Sequence, residues 1–422
     1  MDGQVHVIGA GLAGLAAAVK LAASGRRVVV HEAGDHAGGR CRSYFDGALG
    51  CRLDNGNHLI LSGNRRTLAY LALIGARASL VGPPDARFPF VDLATGERWV
   101  VRPSAGRLPW WLFDRTRRVP GTQPADYLAP WRLLSAAHAD TVAARLDPNR
   151  VLYKRLWEPL AIAALNTAPE DGSARLLWRI IAMTLGAGGV NCRPLVPAEG
   201  LSESLVDPAL TRLGDTVHFG RRLREIALEG PRVRALQFAG DRVTVGPMDR
   251  VVLAVPPSVA AGLLPGLTAP NEFRAIVNAH YRIAAPRDPA MGGADFIGVV
   301  GGLAEWVFVK REVVSVTISA ADRLADRPAE DLAPAIWADV ARALGLPAAP
   351  LPPWRIVKER RATFAASPGQ LLRRPGATTT WDNLLLAGDW TQTGLPATIE
   401  GAIDSGLKVA DLILQGHTSR AA

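Results

Sequence analysis

The sequence predicts an α/β fold of two interleaved units: a discontinuous dinucleotide-binding unit, and an α+β unit inserted into it in pieces. Three observations carry this reading. A glycine-rich turn between two apolar runs opens the chain, a strand ending in Gly388-Asp389 and a further helix stand near its other end, and antiparallel and helical patterns fill the interval. A unit that starts, is left and is rejoined must be discontinuous. At 422 residues the chain exceeds what one compact core usually organises. Residues 1–75, 195–265 and 375–422 are assigned to the nucleotide unit, and 76–194 and 266–374 to the inserted unit.

The opening turn is Gly9-Ala10-Gly11-Leu12-Ala13-Gly14. Val5, Val7 and Ile8 before it read as a buried strand, Ala- and Leu-rich sequence to Ser24 reads as a helix ended by Gly25, and Val28-Val29-Val30-His31 reads as a second strand that stops at Glu32. Each part serves a dinucleotide. Gly9 makes the tight turn, Gly11 lets a pyrophosphate approach the positive helix N-terminus, Gly14 lets helix and strand pack closely, and Glu32 accepts ribose hydroxyls.

The remaining elements follow in order. Phe88 to Leu93 and Arg98 to Arg102 read as a hairpin around Ala94-Thr95-Gly96-Glu97, and 105–121 as an irregular aromatic and basic loop. A helical pattern runs over about 124–190, broken at Pro130, Pro148, Pro159 and Pro169, and Pro194-Leu195-Val196-Pro197 reads as a hinge-like crossing. A helix to Leu213 precedes strands near 216–228, 232–238 and 241–245 and a buried strand from Val251 that ends at Pro256-Pro257. Residues 296–319 read as an antiparallel meander, 329–344 as a helix, 347–353 as a Pro-rich linker, 354–361 as a strand, and Thr398 to Leu414 as a final helix.

Composition narrows the class. Hydrophobic residues make up 48% of the chain, so a large core is expected. No apolar stretch reaches the length of a membrane span, and a first strand beginning by residue 4 leaves no room for a signal peptide. Cys41, Cys51 and Cys192 are odd in number and lack metal spacing, which points to a reduced cytoplasmic compartment and no metal site. The net charge is +9, carried almost wholly by arginine. A GC-rich coding bias accounts for it, as does attraction to an anionic surface or a diphosphate; no basic stripe with stacking aromatics speaks for nucleic acid.

Two more blocks suit a dinucleotide. Gly38-Gly39-Arg40 gives close backbone approach and a cation for phosphate oxygens, and Gly388-Asp389 ends a strand shortly before a helix. The three blocks together resemble the FAD-dependent amine oxidase and carotenoid desaturase superfamily, and the resemblance spans essentially the whole chain. Thr398-Ile399-Glu400-Gly401-Ala402 is more similar to a desaturase than to an amine oxidase. Other stretches resemble the squalene-associated desaturase-like proteins, the hydroxysqualene dehydroxylases of bacterial hopanoid pathways. They include Leu53-Asp54-Asn55-Gly56-Asn57-His58, Pro89-Phe90-Val91-Asp92-Leu93, Gly106-Arg107-Leu108-Pro109-Trp110-Trp111, Ala164-Leu165-Asn166-Thr167, Arg193-Pro194-Leu195-Val196-Pro197 and Lys358-Glu359-Arg360-Arg361-Ala362-Thr363-Phe364.

The resemblance implies an amine-oxidase-like architecture, with a Rossmann-like FAD-binding domain and an inserted substrate domain. It implies non-covalent FAD held by Gly9, Gly11, Leu12, Ala13, Gly14, Glu32, Ala33, Gly38, Gly39, Arg40, Asn55, Gly56, Asn57, Leu223, Gly388, Asp389, Ala397, Thr398 and Ile399. It implies removal of the hydroxyl of the C30 alcohol hydroxysqualene to give squalene, a net reduction in which an acid assists departure of the hydroxyl and reduced FAD supplies hydride. A carotenoid desaturase or isomerase is the enzyme alternative, and a prenyl-binding escort of the same fold the non-enzymatic one.

For the acid, His58 is the first candidate, because its turn follows the early strand toward the flavin and an ordinary imidazole titrates near neutrality; Glu305 and Glu400 are its rivals. Trp157, Trp306 and Trp390 are candidates to face a cation, or else are core. Residues 107–118, with Trp110, Trp111 and several arginines, are expected either to touch a membrane surface or to fold over the substrate unit. The expected location is cytoplasmic, peripheral to the inner membrane, with squalene-synthase-like enzymes as possible partners.

Overall fold

The computed structural model describes residues 3–284, 291, 293–310, 312–346 and 350–416. Residues 347–349 of the expected 347–353 linker lie outside them.

A five-stranded parallel sheet has the order Val217–His218, Val28–His31, Val5–Ile8, Arg250–Leu253 and Leu384–Leu386. Successive side chains of a strand point to opposite faces, and here both faces are covered, which is why these strands read as unbroken apolar runs. Val5, Val7, Val30, Val252 and Leu385 enter a core beneath the helices Leu12–Ala23 and Ile399–Leu414. Ile8, Val251, Leu253 and Leu384 enter another core, against an antiparallel meander of Leu223–Glu229, Arg232–Phe238 and Asp241–Thr244. The two helices touch closely because Gly406 has no side chain; a Cβ there would lie 2.0 Å from the Ala13 carbonyl oxygen. The first and last nucleotide motifs thus belong to neighbouring elements.

A second sheet has seven strands, in the order Trp354–Phe364, Phe273–Arg282, Val313–Ile318, Trp306–Lys310, Phe296–Val300, Phe88–Asp92 and Arg98–Val101. It is antiparallel except where Phe296–Val300 runs parallel to Phe88–Asp92. One face buries Val277, Ala279, Val307, Val314 and Val316 under the helix Ala329–Leu344. The alternate positions, Asn278, His280, Ser315, Thr317, Trp306 and Lys310, share the other face through the register Asn278↔Thr317↔Trp306 and His280↔Ser315. That face carries the polar residues near the early turn.

Two local expectations are corrected. Pro194–Pro197 is no hinge: its residues pair with Ile60–Leu61 and Leu80–Val81. Pro159 does not break the helix: it follows directly on the π-helical turn Tyr153–Trp157, and the helical run continues through it to Leu165.

His6, His31 and His218 form a row across the parallel sheet on the meander side, with His31 4.7 Å from the Phe238 ring and 5.8 Å from His6. Burial, with the neighbouring His6, Arg221 and His218, lowers His31 to about 3, and burial lowers His6 as well. Above about pH 6.5 such rings are neutral whether the chain is folded or not. Below it the unfolded chain takes up protons that the folded chain refuses until about pH 3 at His31. Stability should therefore fall as pH drops from about 6.5, by something on the order of several kcal/mol for this one ring. Urea midpoints at stepped pH test this: His31→Leu is expected to flatten the acid limb, and an unchanged slope would assign the acid lability to other groups.

Candidate FAD and active site

The early glycines fall into distinct classes. Gly9 has φ +104°, and a Cβ there would lie 2.5 Å from the Ala254 carbonyl oxygen; at Gly14 it would lie 1.9 Å from the carbonyl oxygen of Gly9. These two are required by the fold itself. At Gly11 an added Cβ meets nothing within 4 Å. Gly11 caps the helix Leu12–Ala23 without a side-chain bond, so the N–H groups of the first turn, through Leu12, Ala13 and Gly14, face open space with the positive end of the helix. Gly38 and Gly39 line the same space. The Gly38 N–H donates to the Ala10 carbonyl at 2.8 Å, and Gly39 has φ +60°.

Glu32 is fixed from both sides: one carboxylate oxygen accepts from the Ala10 N–H at 2.7 Å and the other from the Gly34 N–H at 2.8 Å. Each oxygen keeps a lone pair for a ribose hydroxyl. Beyond Ala33, the backbone of 218–221 runs beside it, with the Arg221 N–H donating to the Glu32 carbonyl at 2.7 Å, and Leu223 opens the meander two residues on. Arg40 leaves the second glycine pair and reaches Asp389 at 2.7 Å, which joins the first and last motifs directly. These residues fit FAD: an open anion cradle at a helix end, an anchored ribose acceptor, and a cation set between the glycine loops and Asp389.

The loop after Asp389 is organised by Arg374, which the sequence reading passed over. Its buried guanidinium donates to the carbonyls of Thr391, Leu395 and Asp389 and to Thr393 Oγ1. Gly388 donates its N–H to Ser405 Oγ at 2.8 Å, and beyond Ala397 the Thr398 hydroxyl accepts from Gly401 N–H, capping the helix that begins at Ile399. Trp390 is core, its indole N–H bonded to the Val255 carbonyl at 2.9 Å, and Trp157 is likewise buried.

The turn Asn55-Gly56-Asn57-His58 lies against the polar face of the seven-stranded sheet. Asn278 Nδ2 donates to the Asn55 carbonyl, Thr317 Oγ1 donates to Asn278 Oδ1 at 2.8 Å, and Asn57 Nδ2 donates to Thr317 Oγ1 at 3.1 Å. A Cβ on Gly56 would sit 3.2 Å from Asn278 Nδ2. Asn278 and Thr317 escaped the sequence reading. The one available signal was a polar residue inside the run Ala275-Ile276-Val277-Asn278-Ala279.

The three acid candidates differ in kind. The premise for His58 does not hold. Burial, with Lys310 and Arg40 adding to it against the pull of Asp54, lowers the imidazole to about 4, so the ring is neutral near pH 7 and carries no proton to give as imidazolium. Glu400 is occupied. Its carboxylate accepts from the Arg66 and Thr67 N–H groups and the Thr67 hydroxyl, capping the helix Arg65–Ile74 and tying it to the closing helix. Glu305 is the one raised: burial lifts it to about 7, against the Ser319 N–H, which donates to it at 2.7 Å, and Arg323. It immediately precedes Trp306, whose partner across the sheet is Thr317. At the far end of the strand Trp306–Lys310, Lys310 and Asp54 form an ion pair at 2.7 Å. Burial pushes the Asp54 carboxyl up, but Lys310, the Leu201 N–H and Ser43 hold it below the ordinary range.

Comparison with known proteins agrees with this geometry. The chain is 53% identical over 418 residues, 98% of its length and 99% of the relative's, to the hydroxysqualene dehydroxylase of Rhodopseudomonas palustris. It is 52% identical over 417 residues to the protein of the same name in Sinorhizobium fredii, with 98% and 99% of the two chains covered. Among solved structures, a putrescine oxidase double mutant superposes with a TM-score of 0.72 over 98% of this chain and 99% of that one, at 17% identity, a likeness of fold. Residues 12–285 and 307–414 match the model of the flavin containing amine oxidoreductases, and the chain belongs to that family.

Proposed function

We propose that this protein is an FAD-dependent oxidoreductase that removes the hydroxyl of hydroxysqualene to give squalene. The observation that carries the substrate is identity above one half along nearly the whole of both chains with a hydroxysqualene dehydroxylase. The cradle at Gly11, Glu32, Gly39, Arg40 and Asp389 supports the cofactor. We further propose a division into an FAD-binding domain (1–75, 195–265, 375–422) and a substrate domain (76–194, 266–374). In support, all strands of the parallel sheet fall in the first set and all strands of the seven-stranded sheet in the second.

The reaction replaces a C–O bond by a C–H bond. The hydroxyl leaves as water, taking one proton, and the carbon gains a hydride. When bound, reduced FAD supplies that hydride. The remaining work falls to the protein. Glu305, raised to about 7 and therefore about half protonated at neutral pH, holds the proton for the departing hydroxyl, and the apolar wall of Phe90, Trp306, Phe296 and Phe308 excludes water. The Asn57–Thr317–Asn278 chain of hydrogen bonds fixes the turn that borders the cofactor site. In the same proposal the protein is cytoplasmic and works at the inner membrane, where a C30 substrate resides, beside squalene-synthase-like partners. Among the described residues no helix is long and apolar enough to cross a membrane.

Anaerobic mixing of the reduced protein with hydroxysqualene is expected to yield squalene while the yellow flavin absorbance returns. Products with additional double bonds, formed by oxidised protein, would establish a desaturase instead. A colourless protein that still binds the polyene would leave only an escort. Acid denaturation is expected to release all the flavin into the supernatant; flavin that precipitates with the chain would refute non-covalent binding.

A further inference from the structure

We infer that the surface built jointly by residues 108–113 and 128–134 is a preformed anchor for an anionic phospholipid bilayer. This rests on the substrate reading above, because a C30 polyene partitions into lipid. It goes further in making the anchor composite rather than a single loop.

The first segment contains the short helix Trp110–Phe113, and the second starts at the last residue of the short helix Pro124–Leu128 and contains the helix Trp131–Leu134. Both are amphipathic in a strict sense. Trp111, Leu112, Tyr127 and Leu133 point inward and belong to one buried cluster. The Trp111 ring meets Tyr127 edge-on at 5.2 Å, and the Tyr127 hydroxyl accepts from the Val119 N–H at 2.8 Å, so the two segments are fastened together from beneath. Their other side chains are left outside: Leu108, Trp110, Phe113, Leu128, Trp131 and Leu134 are each about three-fifths or more exposed, with Trp110 at 67% and Trp131 at 65%. A soluble surface seldom gathers so many large apolar groups without a partner for them.

The charges nearby select the partner. Arg107, Arg115 and Arg132 are exposed around these side chains. The acids in the same stretch, Asp114 and Asp126, stay ionised while they accept from the Thr116 N–H and hydroxyl and from the Gln123 N–H, but the arginines Arg107, Arg115, Arg117, Arg118 and Arg132 outnumber them and leave the stretch positive. Tryptophan, phenylalanine and leucine ringed by arginine is the composition of an interfacial anchor on anionic lipid. Trp111 has the opposite role: at 7% exposure it is part of the support and not of the contact.

Sedimentation with vesicles of phosphatidylcholine, with and without phosphatidylglycerol, tests the inference on the flavin-loaded protein. Trp110→Ser and Trp131→Ser are each expected to weaken binding to the anionic vesicles by roughly tenfold, and together by far more, with flavin content and melting temperature unchanged. Salt should weaken the wild type and leave a residual apolar part. If Trp131→Ser binds like wild type, the anchor is the 107–118 loop alone and the composite surface is wrong. If the wild type ignores both kinds of vesicle, or the double variant abolishes a concentration-dependent dimer, the surface serves something other than lipid. Turnover of detergent-dispersed hydroxysqualene separates this from the substrate reading. The double variant should keep it, and its absence in a wild type that binds vesicles would overturn the substrate and leave the anchor standing.

Discussion

Gly11→Val should give a protein that folds normally and is colourless. Valine prefers the extended backbone, and Gly11 sits at φ −71°, ψ 172°. The added Cβ meets nothing within 4 Å, so the backbone has no reason to resist the change. What the branched side chain fills is the space in which a pyrophosphate must approach the first-turn amides. Flavin content should fall to near zero while the melting temperature of the apoprotein stays within about a degree or two, as for a surface change of a few tenths of a kcal/mol. Gly14→Val is the contrast. There the Cβ would lie 1.9 Å from a backbone oxygen, so the parallel sheet and the helix Leu12–Ala23 must separate, and insoluble protein is expected. A fully yellow Gly11→Val protein would place the dinucleotide elsewhere.

The second large effect is at Glu305. Glu305→Gln keeps the shape and the bond from the Ser319 N–H but removes the proton, and single turnover should slow by about 10²–10⁴ while substrate still binds. The sign with pH follows from the raised carboxyl. The active form is the protonated one, so the wild-type rate is high below about 7 and declines as pH rises through it. Glu305→Gln should lose that decline. His58→Ala should keep it, since the imidazole is already neutral well below the working range. If His58→Ala instead abolishes the pH dependence, the acid is the imidazole and its buried surroundings change on binding substrate.

Much of the nucleotide half was legible because backbone geometry, not packing, selects its residues. Gly9, Gly14 and Gly38 are glycines since a Cβ would strike a carbonyl, and such demands leave a pattern in the sequence. The division of strands between two sheets was legible for a similar reason. A sheet covered on both faces needs continuous apolar runs, whereas the meander alternates. The chemistry of the candidate acids and of the buried arginine was less legible. The titration of His58 depends on Asp54, Lys310 and Arg40, which come from separate segments, and nothing in a one-dimensional pattern announces how deeply a ring will be buried. Glu400 looked like a free acid because the N–H groups it caps, at Arg66 and Thr67, are more than 300 residues earlier. Arg374 stands among other arginines in the sequence, and only tertiary structure turns it inward. Trp110 and Trp111 are adjacent and chemically identical, and a single turn of helix sends one outward and the other in.

The ion pair between Arg40 and Asp389 has a consequence for biogenesis. A ribosome releases the glycine loops early and the Gly388-Asp389 strand with its helix late, so the nascent chain carries half a cradle for most of its synthesis. Flavin capture must therefore wait for the Gly388-Asp389 segment, and until the segment around Gly406 emerges the helix Leu12–Ala23 lacks its partner. A ligand that binds only the finished form draws the population toward it in proportion to its supply. Cellular flavin level then sets how much of this chain escapes the proteases, and riboflavin starvation should deplete the protein itself rather than merely its activity.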